Sequence, residues 1–539
     1  MQTPTTLLQV LHRQLQSAPD ALALSDNGRE YSYADLDDLS LRAATWLRAQ
    51  GIGKGDRVAV WLVNRVEWLA LLFGITRIGA TMVVVNPRYS TVELQHILGQ
   101  SQARLLIFEP GFRKIDFLAQ FQQVDPDAIP ALERIAVLGA ADMLSQGLLG
   151  RDIVAFDLNN AADPDLADDC SADDLAVLFA TSGTTKLPKL VMHTHGSLAY
   201  HTGHLSRGFA FDAPGARFIA ALPFCGVFGL NPVLASIYGG APISILETFD
   251  GKRAAEIIRQ DQITHIFAFD EAFHQILKHT EEDRPFALIR LMGYAALQSG
   301  GVELAHKLAG QGVPIFGMFG TSEVNALFSK QPDSLPVDQR IQGGGNPVSG
   351  ASVSVRVRDP DSGKLVATGD RGLIEIRAPS NFSGYFRNPE ATAEAIDSEG
   401  YYNTGDVGYM REDGSFVYET RLGDVMRLSG FLVNPSEIED MLSGIDGVED
   451  SQVIGVEIDG KPRCVAFVIA DKTMANETMT SADQIIADAA QLMARYKVPS
   501  RVWFLEAFPV TPSANGTKIQ RAKMRQMAIE NLERESRAS

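Results

Sequence analysis

Cysteine is scarce in this chain, and the three residues present lie far apart. Cys170, Cys225 and Cys464 form neither a CxxC pair nor any other metal-binding spacing. A disulfide framework and a zinc site are therefore excluded, and a reducing, cytoplasmic setting is expected. Positive charge is also in deficit: 48 Lys and Arg face 66 Asp and Glu, for a net charge of -18. Such a surface repels polyanions, which removes nucleic acid from the expected partners and confines any phosphate site to a local pocket. Long apolar runs are missing too. The most apolar stretch, LALLFGITRIGATMVVV, is broken by Arg77 and Gly79, and the opening MQTPTTLLQVLHRQLQ lacks a basic start followed by an apolar core. Neither an integral membrane segment nor a signal is expected. There are no internal repeats or low-complexity tracts, and the pattern GxxxxGK followed by Ser or Thr does not occur, which removes the main support for a P-loop kinase or GTPase.

What is present is ordinary for a folded enzyme. At 539 residues, 45% apolar and 21% charged, the chain has material for about two to four domains. From Arg57 it alternates: RVAVWLV as a strand, VEWLALLFGITRIG as a helix, ATMVVVN as a strand, TVELQHILGQ as a helix and ARLLIF as a strand. The alternation returns in PISILE, GKRAAEIIRQ and THIFAF. This predicts an α/β fold, with a large N-terminal domain of mostly parallel β-sheets flanked by helices. VSVRVRD, GLIEIRA and GSFVYET are then separated by the turns DPDSG, APSNFSG and REDG, which predicts an antiparallel β subdomain over about 345–420. Beyond Gly430, SQVIGVEID, a DGKP turn, RCVAFVIAD and DQIIADAAQLMARY read as a small α+β unit. The expected division is 1–422 and 423–539.

The densest polar motif is TSGTTKLPKL, Thr181 to Leu190. Thr181, Ser182, Thr184 and Thr185 supply hydroxyls, Gly183 allows backbone N–H groups to come close, and Lys189 supplies charge. That chemistry suits a polyphosphate. Alone, the loop reads equally well as a solvated Ser/Thr turn.

Together with other motifs in a fixed order, the loop resembles the TSGTTGxPKG element of the adenylate-forming superfamily, which includes acyl-CoA synthetases, nonribosomal adenylation domains and luciferases. Lys186 and Leu190 replace its two glycines. FGTSE at Phe319 to Glu323 is similar to the family's aromatic-Gly-x-Thr-Glu element, and YYNTGDVGY supplies its TGD at Thr404 to Asp406. TRLGDVMRLSGFLVNPSEIE resembles GRxKDxIxxxGxxVxPxEIE, and NGTKIQR resembles the terminal xGKIxR, with Thr517 standing between Gly516 and Lys518. GIGKGDRVAVWLVNRVEW and VVVNPRYS fall where the family has its GDRV and NP stretches. The resemblance covers nearly the whole chain. It implies activation of a carboxylic acid by ATP, with pyrophosphate leaving, and then transfer of the acyl group to a thiol with loss of AMP.

By that resemblance each motif receives a role. Glu323 is the magnesium ligand, with Thr184 beside the phosphates and Lys186, Gly320, Thr321 and Ser322 in the nucleotide site. Phe319 stacks on adenine, and Gly293, Tyr294 and Ala295 correspond to the family's adenine strand. Asp406 accepts hydrogen bonds from the ribose hydroxyls, and Arg421 contacts the same sugar. TGD also occurs at Thr368 to Asp370, but only the copy at 404 has the family's flanks. Lys518, carried by a small mobile C-terminal domain, neutralises charge in the first transition state. Gly423, followed by Asp424, marks the hinge or a simple turn, and Gly430 lies beside the pantetheine tunnel. The acyl pocket draws on Phe224, Cys225, Gly226 and Gly229, with Gly226 where a histidine commonly stands. Phe269 and Asp270 join it. Asp270 and Glu271 either recognise a substrate polar group or simply favour a helix N-terminus.

Two accounts of Lys186 stand open: a strained left-handed residue costing about 1 to 2 kcal/mol, or a second cation beside Lys189. The expected activity is that of a fatty or aromatic acid–CoA ligase using ATP, Mg²⁺ and coenzyme A. A stand-alone enzyme that loads a carrier protein and a nucleotide-binding pseudoenzyme are the alternatives. A small-molecule carboxylic acid is the expected partner, and a homodimer is left open.

Overall fold

A computed structural model describes residues 3–139, 147–181, 187–280, 284–295, 301–350, 352–360, 362–421, 426–429, 431–433, 435–470, 481–513 and 516–538. The chain divides into two units. One comprises Met1–Pro87, Ile97–Thr181 and Leu190–Thr420; the other comprises Arg88–His96, Ser182–Lys189 and Arg421–Ser539. No helix among the described residues is long and apolar enough to cross a membrane.

The first unit is built on two large sheets. Among the described residues one has seven strands, in the order Asp152–Phe156, Arg134–Leu138, Leu105–Phe108, Arg57–Trp61, Thr81–Val84, Leu175–Thr181 and Lys189–Thr194. All pairs up to Leu175–Thr181 are parallel. Val58 to Trp61 and Leu105 to Phe108 are buried throughout. Strands covered on both faces need no polar side, hence their continuous apolar sequence. The helix Val66–Arg77 is buried at every position but Glu67. Arg77, the charge that interrupts its apolar run, is bonded to Asp37, to Ser40 at 3.1 Å and to Asp168 at 3.4 Å. A buried guanidinium requires such partners.

The second sheet has thirteen strands among the described residues. Leu22–Asp26, Ile243–Ile245, Phe218–Ala220, His265–Phe269, Leu291–Ala295 and Ile315–Thr321 lie side by side and parallel. From Ile315–Thr321 the pairing turns antiparallel through Asn325–Lys330 and Gly344–Pro347 to Phe416–Arg421. The sheet ends on Tyr402–Met410, Gly372–Arg377 and Ser354–Arg358. The antiparallel region is therefore an extension of the parallel sheet rather than a sheet of its own. Two glycines allow the join. Gly344 and Gly345 have φ of 107° and 106°, and a Cβ on Gly345 would lie 1.9 Å from the Lys330 carbonyl oxygen.

In the second unit, Val448–Ile458 and Lys461–Ala470 form a long hairpin, with Val502–Phe504 parallel beside it. Pro435–Leu442 and Ala482–Leu492 contribute Ile438, Leu442, Ile485 and Ala489 to its core. Glu439 accepts the Val453 N–H at 2.7 Å and both Oε atoms accept from Arg521, at 2.8 and 3.0 Å. Lys497 is ion-paired with buried Glu93, which also accepts the Ser90 N–H at 2.9 Å.

Four imidazoles of the first unit, His193, His195, His201 and His265, are fully buried. Burial holds each neutral and pushes its pKa down from 6.5 to about 4. Between those values the unfolded chain binds protons that the folded chain does not, so stability falls as pH drops from about 6.5 toward 4. Each histidine contributes up to about 1.4 kcal/mol per pH unit in that window. The urea midpoint of unfolding is expected to fall steeply from about pH 6.5 to 5; a constant midpoint there would contradict the burial of these groups.

Candidate active site

The carboxylate of Glu323 sits in the tight connection between Ile315–Thr321 and Asn325–Lys330, where Thr321 pairs with Asn325. The connection closes because Gly320 has no side chain: a Cβ there would lie 2.7 Å from the Ala326 Cα. Asn325 follows with φ of 66°, a conformation that asparagine tolerates better than most residues. Its side chain donates to the Ser380 carbonyl at 2.9 Å and accepts from Asn231 at 3.2 Å.

Glu323 is buried, with 6% of its surface exposed. Its backbone carbonyl accepts the Phe382 N–H at 2.6 Å, and its Oε1 accepts the Tyr385 hydroxyl at 2.9 Å. The Ser322 carbonyl is 2.7 Å from His193 Nε2. A carbonyl only accepts, so Nε2 carries the proton and Nδ1 is left as the acceptor facing Ser197 and Asn325. Burial dominates the lowered pKa of His193, opposed by its bond to Ser322 and the nearby Glu323 charge. Thr321 is buried as well, and its Oγ1 has no hydrogen-bond partner among the described residues. An orphan hydroxyl and a buried carboxylate in one short connection suit an oxygen-rich ligand that also carries a cation.

Tyr385 is placed by its own segment, SGYFRNPEAT. Gly384 takes φ of 127°, and its Cβ would lie 2.7 Å from Thr392 Cγ2. The Tyr385 N–H then reaches Thr392 Oγ1 at 2.9 Å, while Asn388 caps the helix Pro389–Ala395 by accepting the Ala391 N–H at 3.0 Å. The same segment pairs with the strand that follows the phosphate-loop motif. Phe386 N–H donates to Leu190 O at 2.8 Å, Met192 N–H to Gly384 O at 3.0 Å, and Ser383 N–H to Met192 O at 2.9 Å. Neither Tyr385 nor His193 stands out in the sequence.

Of the loop itself, Thr181 ends one strand and half-buried Lys189 begins the next, while Leu190, at the place of the second glycine in the resembled motif, is buried. Ser182, Gly183, Thr184, Thr185 and Lys186 lie outside the described residues, as do Gly423, Asp424 and Gly430. Phe319 is 7% exposed and packed between Phe416 and Tyr418, with ring centroids 5.2 and 5.7 Å away. Asp406 is 3% exposed on the strand Tyr402–Met410, with its N–H bonded to Thr404 Oγ1 at 3.0 Å. The earlier TGD, by contrast, ends on an exposed Asp370. Arg421 ends the strand Phe416–Arg421. Lys518 lies on Gly516–Ile519 and pairs with Thr511.

Several residues expected to line the site are used for packing. Phe224 is wholly buried, edge-on to Trp68 at 5.5 Å, with its N–H given to Asn64 at 2.8 Å, so it is part of the core. A Cβ on Gly229 would lie 2.0 Å from the Pro223 carbonyl oxygen, and one on Gly293 would lie 2.3 Å from Met318 Sδ and from the Phe267 ring. The Tyr294 side chain is buried in the core around Ile266 and Ile315, and Ala295 ends the same strand beside Phe269. Gly226 differs: it precedes the helix Val227–Gly239, and its Cβ would meet nothing nearer than 3.9 Å. Cys225 beside it is 9% exposed. Phe269 meets Phe228 edge-on at 5.2 Å, and Asp270 opens the helix Asp270–Leu277.

The model of the AMP-binding enzymes matches residues 11–386, and that of their C-terminal domain matches 437–515. The chain belongs to the AMP-binding enzyme family. Within it, the chain is similar to acid–CoA ligases along its length. It is 30% identical to a feruloyl-CoA synthase of Amycolatopsis sp, over 93% of this chain and 95% of that one. It is 27% identical to the putative acyl-CoA synthetase YngI of Bacillus subtilis, over 98% and 97%. Among solved structures, ATP-bound MatB from Rhodopseudomonas palustris is 25% identical, with a TM-score of 0.66 over 97% and 98% of the two chains. The o-succinylbenzoate CoA synthetase of Bacillus subtilis shares the fold at a TM-score of 0.79, with 21% identity over 96% and 98%. The chain is thus an enzyme of the adenylate-forming acid–CoA ligase family.

Packing at the glycines separates two kinds of position. Gly293→Ala is expected to lower stability by about 1–3 kcal/mol through overpacking, while Gly226→Ala leaves the thermal midpoint unchanged. Thermal unfolding of both variants checks this, and the reverse order would refute it.

Proposed function

We propose that the protein converts a fatty or aromatic monocarboxylic acid to its coenzyme A thioester through an acyl-adenylate. The observation that carries this reading is the buried Glu323 carboxylate, two residues from the buried and orphan Thr321 hydroxyl, in the motif that resembles the family's nucleotide element. The names of the full-length relatives, which include feruloyl-CoA synthases and a long-chain-fatty-acid–CoA ligase, support this substrate class.

In the first step a substrate carboxylate oxygen bonds to the α-phosphorus of ATP and the bond to the bridging oxygen breaks, releasing pyrophosphate. In the second, the coenzyme A sulfur bonds to the acyl carbon, the thiol proton is lost and AMP leaves. Both transition states concentrate negative charge, so fixed donors and cations are what the protein must supply. Lys518 is assigned to neutralise charge between carboxylate and α-phosphate in the first step, with Ser182, Thr184, Thr185, Lys186 and Lys189 on the departing phosphates. Asp406 and Arg421 hold the ribose, and Phe319 offers adenine the part of its ring left open by Phe416 and Tyr418. Gly423 and Asp424 serve as hinge between 1–422 and the C-terminal part, and Gly430 leaves room for pantetheine.

The donor chemistry fits magnesium. No group of three His, Cys, Asp or Glu among the described residues is arranged to hold a metal. A hard cation is commonly held by one or two carboxylates together with substrate phosphates, and Glu323 is the carboxylate assigned to it here. When bound, such an ion screens the phosphate charge. At the acyl end, the open space at Gly226 favours a bulky acid over a small one.

A panel of acids with ATP and magnesium tests the assignment: pyrophosphate release and coenzyme A thioester are both expected with at least one fatty or aromatic acid. Pyrophosphate without thioester would move the reading to carrier-protein loading. Lys518→Ala is expected to slow adenylate formation about 100-fold or more while sparing thioester formation from supplied adenylate. Equal losses in both steps would remove Lys518 from its role.

A further inference from the structure

Glu323 is assigned its role by motif, but a carboxylate on a short connection between strands is not held there by the motif alone. The structure surrounds it with contacts from two distant segments. Tyr385 donates its hydroxyl to Oε1 at 2.9 Å, in a setting where both residues are buried. Phe382 N–H fixes the Glu323 carbonyl, and His193 Nε2–H fixes the carbonyl of Ser322 immediately before it. The tyrosine is itself gripped from both ends. Its backbone N–H is bonded to Thr392, and its segment is laddered to Leu190 and Met192, at the end of the phosphate-loop motif and just beyond it. Its ring packs edge-on against Phe382 at 4.9 Å.

We propose that Tyr385 and His193 are positioning residues for Glu323, the hydroxyl occupying Oε1 so that Oε2 is presented as a single-oxygen ligand to the cation of the nucleotide. The inference rests on the reading of Glu323 as the carboxylate facing that cation. A phenol donor withdraws one of the two oxygens and blocks rotation of the carboxylate, so the entropic cost of orienting it is met before the nucleotide arrives. His193 acts on the other side, through the backbone. Its fixed tautomer keeps the Ser322 carbonyl turned inward, and Glu323 then leaves the connection in one direction only. Because Tyr385 is also hydrogen-bonded in register with the strand after the phosphate loop, the orientation of the carboxylate is tied to the segment that follows the phosphate-binding residues.

Mn²⁺ serves as the probe, its free concentration followed by electron paramagnetic resonance with full-length protein and saturating α,β-methylene-ATP, against the curve for nucleotide alone. Tyr385→Phe is expected to weaken Mn²⁺ binding to the complex about 10-fold, the loss typical of an outer partner of a metal ligand. Metal-free binding of the same nucleotide and the far-UV circular dichroism are expected to stay unchanged. His193→Leu is expected to act in the same direction, with His193→Gln, which retains an N–H donor, recovering most of the loss. Glu323→Gln is the reference. If it weakens Mn²⁺ binding and Tyr385→Phe does not, the positioning role is overturned while the assignment of Glu323 stands. If Glu323→Gln has no effect either, the assignment of Glu323 falls and the inference with it. Loss of metal-free nucleotide binding in both Tyr385→Phe and His193→Gln would also overturn the proposal, since the two residues would then be holding the fold rather than orienting a ligand.

Discussion

The candidate site depends on a short stretch of backbone pairing, that of Leu190 to Met192 with Ser383 to Phe386. The strand Lys189–Thr194 is already the edge of the seven-stranded sheet, through Leu175–Thr181. Left alone, that edge would present unpaired N–H and C=O groups in the interior of the unit, a cost that a folded chain rarely tolerates. The segment around Gly384 covers it, and in doing so delivers Phe382 and Tyr385 to Glu323. The need to satisfy one buried sheet edge therefore bears on where the Glu323 carboxylate is held.

Behind Glu323 the interior is polar, not apolar. His193, Asn325, Asn231 and Ser380 are hydrogen-bonded to one another or to backbone, and His201 bonds the Ala326 carbonyl at 2.8 Å. In a low dielectric such a network is rigid when satisfied and expensive when not. It is not wholly satisfied: Asn231 Oδ1, Ser380 Oγ and Thr321 Oγ1 have no partner among the described residues. Leu327 adds to the cost with φ of 62°, a conformation that disfavours a side chain by about 1–2 kcal/mol. Such costs gathered around one carboxylate are consistent with the binding role proposed for it.

Alternation of strand and helix in the sequence was sufficient to find the parallel strands, because Arg57–Trp61, Thr81–Val84 and Leu105–Phe108 are buried on both faces and their composition says so. It was not sufficient to see that the antiparallel region joins the second sheet. That join depends on two positive-φ glycines, which in a sequence look like any turn. Motif order singled out Glu323 and Asp406, and both are buried, whereas Asp370 in the other TGD is exposed. What holds Glu323 was out of reach, since Tyr385 is 62 residues from it and His193 is 129 residues from Ser322. Phe224, Gly229 and Gly293 show, for a related reason, packing that the motifs do not reveal. A residue in a family motif is kept either for its ligand or for its neighbours, and only the distances to Trp68, Pro223 and Met318 tell the two apart.

The same distinction resolves the one irregularity in the C-terminal motif, the extra Thr517 before Lys518. Counted from Gly516 the lysine is displaced by one residue, but the glycine is not what anchors it. Arg521, three residues beyond, is locked by both oxygens of Glu439 and by the Val453 carbonyl, so the chain is fixed from its far side. Between them, Val510–Ser513 and Gly516–Ile519 pair residue for residue, Thr517 against Pro512 and Lys518 against Thr511. The spacing that matters is thus that between Lys518 and Arg521, which KIQR preserves.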